Sequence, residues 1–227
     1  MRPCTAVRLG VGLLAACVLL AGVTRGMAGA RQEGATALPR PSTSGGMSLT
    51  EALAKRRSVR AYAPRALTPS EVGQLCWAAS GITEPSKGLR TAPSAMTLYS
   101  IHIYVVDARG VHEYLPKEHA LKTLHATDVM ADLRAIPPNP PTLGGAPAVI
   151  VLGVHLAPLE ARVGARAERY AMMEAGHVAQ NVLLQATALG LGSIPVGGFD
   201  EAKVNALLKL PEGVRPVYLL PAGAPAG

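Results

Sequence analysis

Three arginines and one serine within five consecutive residues form the part of the chain best suited to chemistry. The sequence reads Arg56-Arg57-Ser58-Val59-Arg60. A guanidinium can donate two parallel hydrogen bonds to phosphate oxygens, and a serine hydroxyl adds a short neutral donor. If the backbone is extended here, Arg56, Ser58 and Arg60 point to one side and can bind one dianion. The alternative is a solvated basic helix C-terminus, where arginine interacts favourably with the helix dipole.

Two further segments have compositions that suit a flat ligand. Thr91-Ala92-Pro93-Ser94-Ala95-Met96 lies in a long aperiodic loop over residues 82–98, and loops of this length in compact domains are usually functional. The stretch from Gly190 to Phe199 contains Pro195-Val196-Gly197-Gly198. Adjacent glycines leave backbone N–H and C=O groups uncovered, so a ring can lie against the main chain. Each segment alone is also typical of ordinary turns.

Two helices that would position the arginines have clear start signals. Ser48 and Glu51 form a capping-box pattern before the first helix. Thr68, Pro69 and Glu71 form a second capping box, with proline at the favoured first helical position. We therefore expect the arginine pentad to follow the first helix and to precede the second.

The remaining elements predict an α+β fold in which a central mixed or antiparallel sheet is flanked by helices. Residues 99–106 and 111–115 alternate as paired strands, and residues 148–154 are typical of a strand buried on both faces. We also expect helices over 117–133, 158–189 and 200–208, and strands over 193–196 and 214–220. The second half of the long helix is apolar nearly all round, which indicates a dimer core.

The N-terminus has the pattern of an export signal. Residues 1–30 combine early arginines, an uncharged run and a small-x-small ending, which predicts a signal peptide cleaved after Ala30. A lipid anchor on Cys17 or an uncleaved membrane anchor is the alternative, and either signal places the protein in the periplasm or cell envelope. Residues 31–47 are poor in large apolar side chains and predict a flexible linker. The domain would then occupy residues 48–227.

Composition argues against several other classes of function. Removing residues 1–30 lowers the formal net charge from +7 to +4, and no basic stripe with aromatic residues accompanies it, so nucleic acid is not an expected partner. The six histidines show no metal-ligand spacing, which predicts no metal site. The serines lie in no nucleophile elbow, and the glycines do not form a dinucleotide fingerprint.

Taken together, the three segments resemble the nitroreductase-like flavoprotein family, and within it the SagB-type dehydrogenases. The resemblance covers roughly residue 48 to the C-terminus. It is densest in the pentad, in residues 93–96, in residues 176–181 and in residues 190–199. It implies a nitroreductase-like fold, an intertwined homodimer, and two FMN molecules that each contact both chains.

The resemblance also assigns a role to each segment. Arg56, Ser58 and Arg60 would bind the FMN phosphate and ribityl chain. Residues 93–95 would lie along the isoalloxazine edge, and residues 195–198 would place main-chain groups near its N5 atom. The candidate cofactor-binding residues are Arg56, Arg57, Ser58, Arg60, Pro93, Ser94, Ala95, Met96, Pro195, Val196, Gly197 and Gly198.

The implied activity is an FMN-dependent oxidoreductase that transfers hydride or electrons to or from a small organic substrate. No side chain is assigned as a general acid. The C-terminal tail lacks the basic residue that many relatives direct at the phosphate, so Arg215 or Arg57 would have to compensate. The Lys-Tyr pair of the azoline-oxidising members has no clear counterpart. The alternative function is a non-catalytic or degenerate flavin-binding protein of the cell envelope.

Overall fold

The computed structural model describes Met1, residues 34–138 and residues 142–227. The expected signal peptide, including Cys17, therefore lies outside the described residues apart from Met1. Among the described helices, none is both long and apolar enough to cross a membrane.

A seven-stranded sheet forms the centre of the domain. Every neighbouring pair of strands is antiparallel, in the order β1-β6-β5-β4-β7-β9-β8. A two-stranded hairpin, β2 with β3, lies apart from this sheet within the expected loop over 82–98. The strands are β1 (Ala35–Ala37), β2 (Ile82–Glu84), β3 (Leu89–Arg90), β4 (Ile101–Asp107), β5 (Gly110–Leu115), β6 (Ala120–His125), β7 (Ala148–His155), β8 (Gly192–Ser193) and β9 (Val214–Gly223).

Helices cover both faces of the sheet. They are α1 (Leu49–Lys55), α2 (Pro69–Ser80), α3 (Met130–Ala135), α4 (Ala157–Val163), α5 (Ala167–Ala188) and α6 (Glu201–Leu208). On one face, α2 and α5 pack through Val72 and Val178 against Ile103 of β4. On the other face, α3 and α6 pack through Leu133 and Leu208 against the alternate residues of the same strands. This alternation is the expected consequence of a strand buried on both faces.

The capping signals produced the helices that they predict. The Ser48 side chain accepts the Glu51 N–H at the start of α1. At α2 both bonds of the capping box form, because the Thr68 hydroxyl accepts the Glu71 N–H and the Glu71 carboxylate accepts the Thr68 N–H. At α6 a single bond forms, because the Asp200 carboxylate accepts the Lys203 N–H. Local hydrogen bonds therefore set three of the helix starts.

The long helix expected over 158–189 is divided. Helix α4 ends at Val163, a short 3₁₀ turn follows, and α5 then runs for 22 residues. Gly164 stands at the break with φ +57° and ψ −136°. Only glycine adopts this region without steric strain, so Gly164 lets the chain change direction between the two helices.

The helix expected over 117–133 was wrong. Residues 120–125 form β6, which pairs with β5 across a tight hairpin, and only residues 130–135 are helical. His119 in the connecting turn has φ +47°. Pairing with β5 on one side and β1 on the other satisfies the backbone of β6, so tertiary context overrides a weak helical pattern.

The flexible linker expected over 31–47 also needs correction in its described part. Residues 35–37 form β1 on the free edge of β6, and the Leu38 N–H then donates to the His119 carbonyl oxygen. Further on, the Ser42 backbone exchanges two hydrogen bonds with the Gln74 side chain on α2. Hydrogen bonds to its backbone and the partly buried Leu38 side chain hold this segment, and composition does not reveal these contacts.

Candidate functional site

The arginine pentad runs beside the start of the glycine-rich stretch. At Arg56 the chain leaves α1 with extended backbone angles. Ser58 then forms a parallel bridge with Ser193, and the Val59 N–H donates to the Ser193 carbonyl oxygen at 3.2 Å. A Cβ atom added to Gly192 would lie 2.6 Å from the Val59 side chain. The absence of a side chain at Gly192 therefore allows this contact.

The three arginines of the pentad differ in their partners. Arg57 donates to the Ala54 carbonyl oxygen at 2.9 Å and to the Arg56 carbonyl oxygen at 2.7 Å, so this side chain caps the end of α1. Within the described part of the chain, neither Arg56 nor Arg60 forms an ion pair with a carboxylate. Arg60 is exposed and Arg56 half-buried. These two cations are available to an anionic ligand.

Residues 195–198 present an open stretch of backbone. Val196 is buried and exchanges both backbone hydrogen bonds with Leu219 at 2.9 Å, which fixes the segment on β9. Gly197 and Gly198 beyond it are exposed. A Cβ atom on Gly198 would meet nothing within 4 Å, and one on Gly197 would only touch the Tyr218 ring. A flat ligand can therefore approach this backbone from solvent.

Residues 93–96 lie against the N-terminal half of α5. The Ser94 hydroxyl donates to Glu174 Oε2 at 2.6 Å and accepts the Tyr99 N–H at 2.8 Å. A cavity of about 180 Å³ opens beside them. Its lining residues are Pro93, Ser94, Ala95, Tyr170, Met173, Glu174 and His177.

The pentad and residues 93–96 lie at opposite ends of the sheet within one chain. Ser193, next to the pentad, pairs with Ala222, which in turn pairs with Ala148 at one end of β7. Ile101, whose N–H contacts the Glu174 carboxylate, pairs with Val154 at the other end of β7. Six residues of strand separate these two rows, or roughly 20 Å. A single chain therefore does not bring all three segments into one pocket.

Arg215 does not supply the additional phosphate contact. It pairs with Glu168 at 2.6 Å and with Glu201 at 3.2 Å. Its backbone lies opposite Val154, at the far end of β7 from the row that holds Ser193. The neighbouring carboxylates satisfy its charge, so the expectation that Arg215 compensates for the uncharged tail was wrong for a site on the same chain.

Sequence reasoning did not include Glu174, Tyr170 and Met173 among the site residues. The sequence does contain a signal for Glu174, because it is a carboxylate in a largely apolar helix, but such a residue is also consistent with a capping role. Tyr170 and Met173 gave no such signal. They line the cavity because the loop at 93–96 packs against α5. That contact joins residues far apart in the sequence, so local patterns do not predict it.

Comparison with known proteins identifies the family. Residues 53–224 match the Nitroreductase family, and the chain belongs to it. The chain is 36% identical over 182 residues to MJ1384 of Methanocaldococcus jannaschii, a protein that carries the name nitroreductase. The match covers 77% of this chain and 90% of that relative. The family assignment makes the chain a nitroreductase-family oxidoreductase.

Solved structures agree with this assignment. A protein of Ralstonia eutropha JMP134 described as a nitroreductase superposes with a TM-score of 0.79 at 27% identity, over 86% of this chain and 91% of that one. Another so described, from Anabaena variabilis ATCC 29413, gives a TM-score of 0.69 at 29% identity, over 78% of this chain and 38% of that one. The predicted α+β class with a nitroreductase-like fold is confirmed.

Proposed function

We propose that the protein is an FMN-dependent oxidoreductase of the SagB-type branch, which transfers hydride or electrons between bound flavin and a small organic substrate. The observation that carries the proposal is that Arg56 and Arg60, which have no carboxylate partner in the described part of the chain, flank Ser58, and Ser58 bridges to Ser193 shortly before the open backbone of residues 195–198. Ser94 in the loop before β4 supports the choice of branch, because the SagB-type proteins resemble this chain in having serine at this position, where some other relatives have asparagine.

The residues present fit FMN. Arg56, Ser58 and Arg60 follow one another in non-helical backbone after α1 and offer two cations and a hydroxyl to a phosphate and ribityl chain. Gly197 and Gly198 lack the Cβ atoms that would fill the space next to the main chain, so a ring can lie there. When bound, the flavin supplies the hydride or electron transfer, while the protein binds, orients and shields it.

We propose that two copies of the chain complete each site. The pentad and residues 93–96 lie beside rows of the sheet that are roughly 20 Å apart in the same chain, so we infer that a second copy supplies that wall. The part of α5 between the two ends supports this arrangement. Met173, Gly176, His177 and Gln180 are exposed on one side of the helix, and Met173 retains 48% of its surface. An apolar side chain so exposed in the middle of a long helix is suited to contact with a second copy.

The first test is whether the purified protein is yellow. We expect FMN to copurify or to bind on addition, with a visible flavin spectrum that dithionite bleaches. A protein that stays colourless after reconstitution as a dimer would contradict the proposal. Turnover with an added electron donor and acceptor then separates an enzyme from the alternative, a flavin-binding envelope protein that does not catalyse.

The phosphate assignment has its own test. The double substitution Arg56→Ala/Arg60→Ala should raise the FMN dissociation constant at least about a hundredfold, because each lost bond to a charged group is worth about 1.5–3 kcal/mol. The matched control is Arg162→Ala/Arg169→Ala, which removes the same charge from exposed helical positions. Equal FMN binding by the two double variants, measured by fluorescence titration, would refute the phosphate assignment.

We also propose that the protein works in the periplasm or cell envelope, on the strength of the export signal in residues 1–30. No nicotinamide pool is available there. The electron donor is then a different reductant, or the reaction is a dehydrogenation with oxygen as acceptor. Fractionation of cells that express the full chain, with sequencing of the mature N-terminus, tests the location and distinguishes cleavage after Ala30 from lipidation of Cys17.

A further inference from the structure

Glu174 is a buried carboxylate that bonds directly to the loop before β4. It is 4% exposed, although it lies on α5 among apolar residues. Its Oε2 atom accepts the Ser94 hydroxyl at 2.6 Å, and its Oε1 atom accepts the Ile101 N–H at 3.2 Å. Burial raises the pKa of Glu174, and these hydrogen bonds oppose that effect. Both carboxylate oxygens therefore point toward the loop and the first residue of β4.

The loop that Glu174 contacts has an unusual backbone. Met96, Thr97 and Tyr99 have φ angles of +55°, +54° and +52°. Side chains other than glycine adopt this left-handed region rarely, and such conformations persist only where the surrounding structure fixes them. Three of them within four residues require several fixed contacts.

Ser94 connects the strained turn to Glu174. Its Oγ atom accepts the Tyr99 N–H at 2.8 Å, so its single hydroxyl hydrogen is directed to the carboxylate. The turn is also held from the other side. The Arg90 guanidinium lies 4.3 Å from the Tyr99 ring centroid, and the Arg90 N–H donates to the Tyr99 hydroxyl at 3.1 Å. Removal of the carboxylate leaves the Ser94 hydrogen without its acceptor while these other contacts remain.

We propose that Glu174 is a positioning residue for the flavin site: through Ser94 it holds the strained turn so that residues 93–95 keep the place proposed for the isoalloxazine edge. This inference rests on the proposed function. We do not assign Glu174 a contact with substrate or cofactor. Its role is to fix the direction of the Ser94 hydroxyl and the path of the loop.

The test combines two small substitutions. In Glu174→Gln the amide oxygen can still accept the Ile101 N–H, but the NH₂ group then faces Ser94 and cannot accept its hydrogen. Ser94→Ala removes the other partner. Glu160→Gln, at an exposed position on α4, is the matched control. Each variant is assayed as the full mature chain for FMN affinity, visible flavin spectrum, thermal unfolding, and hydrogen exchange at the Tyr99 amide.

We expect Glu174→Gln and Ser94→Ala each to speed exchange at Tyr99, and to weaken FMN binding about tenfold with a shifted flavin spectrum. The double variant should lose little more than Ser94→Ala alone, because Ser94→Ala already removes the hydroxyl through which Glu174 acts. The control should match the wild type. Amide exchange reads the turn directly, even in a protein without bound flavin.

Three outcomes overturn the inference. Unchanged exchange at Tyr99 would show that Glu174 does not hold the turn. Faster exchange with unchanged FMN affinity and spectrum would make Glu174 merely structural. Strictly additive losses in the double variant would separate Glu174 from Ser94. If the wild-type chain binds no FMN, the proposed function itself is wrong. If the wild type binds FMN and the variants bind it equally well, only the role of Glu174 is wrong.

Discussion

At the scale of single residues, the arginines of this protein divide by their partners. Arg65, Arg109 and Arg215 form ion pairs with carboxylates and hold local structure in place. Arg56 and Arg60, on extended backbone beside β8, have no carboxylate partner in the described part of the chain. An arginine paired with a carboxylate has a structural role, whereas an arginine without such a partner is free to bind a ligand.

A pH prediction follows from the pair of Arg65 and Glu71. The Arg65 guanidinium binds both carboxylate oxygens of Glu71, at 2.9 and 2.8 Å, and lowers the pKa of Glu71 from 4.5 to about 2. A carboxylate with a lower pKa in the folded state stabilises the protein above its unfolded pKa. We expect this contribution to be complete above pH 4.5 and to disappear as the pH falls toward 2.

Chemical denaturation across that range, for the wild type and Glu71→Gln, measures the effect. The variant should be less stable at neutral pH, and the difference should be mostly lost by pH 2, where half of the folded wild-type carboxyl is protonated, and absent below it. Asp200→Asn serves as a comparison, since that carboxylate caps a different helix. A difference between wild type and Glu71→Gln that is constant with pH would contradict the assigned pKa.

At the scale of elements, the starts of helices are set locally and the edges of the sheet are not. The cap at Thr68 and the box with Glu71 can be read from four residues of sequence. Strand β1 depends on the free edge of β6, more than eighty residues later, because Ala35 pairs with Lys122. A short strand of small residues carries no signal of its own, so composition predicted a linker where the structure has a strand.

Deletion of this N-terminal segment should destabilise the domain. A chain that begins at residue 48 loses β1 and the two bonds between Ser42 and Gln74, whereas one that begins at residue 34 keeps them. We expect a loss of about 1–3 kcal/mol in the free energy of unfolding, since the pairing of β1 and both Ser42–Gln74 bonds are lost together, while the bond from Gln74 Nε2 to Gln185 Oε1 remains. The shorter chain should also self-associate more, because the β6 edge becomes free.

Urea denaturation and light scattering of the two chains measure both effects. Gln74→Ala in the longer chain is the matched variant, because it removes the side-chain bonds and leaves β1 in place. It should lose stability without increased self-association. Equal stability of the 34–227 and 48–227 chains would restore the interpretation of residues 34–47 as a free linker.

The sequence predicts those features of the site that depend on neighbouring residues, and it does not predict contacts between residues far apart in the chain. The pentad, the loop at 93–96 and the stretch at 195–198 were each identified from residue types within a few positions. Their arrangement was not, because the bridge from Ser58 to Ser193 and the contact of Ser94 with Glu174 join residues 135 and 80 positions apart. Likewise the break at Gly164 looked like helix, because neighbouring residues continue the apolar pattern.

At the scale of the whole molecule, the distance between the two halves of the site sets the expected assembly. The pentad lies beside the row of Ser193 at one end of the sheet, residues 195–198 lie along its middle rows, and residues 93–96 belong to the other end. Two chains related by a twofold axis would bring opposite ends together twice and so form two equivalent sites. A homodimer is therefore part of the proposed site as well as a consequence of the exposed face of α5.

Mixing two inactive variants tests this arrangement. Arg56→Ala/Arg60→Ala damages the pentad, and Ala95→Trp blocks the loop. If each site draws on both chains, a mixed dimer has one intact site and one site with both defects. Random association then restores about one quarter of the wild-type flavin content, because half of the dimers are mixed. Flavin absorbance per chain after coexpression gives the result, and no recovery would place the whole site in one chain.

Strand β1 has a consequence for the order in which the protein folds. It is the first of the described strands in the chain, but its partner β6 lies more than eighty residues later. The entropy of closing so long a loop delays this pairing until the β4–β6 meander exists. The first of the described strands is thus among the last to join the sheet, and until it does, the edge of β6 stays open to pairing with other unfolded chains.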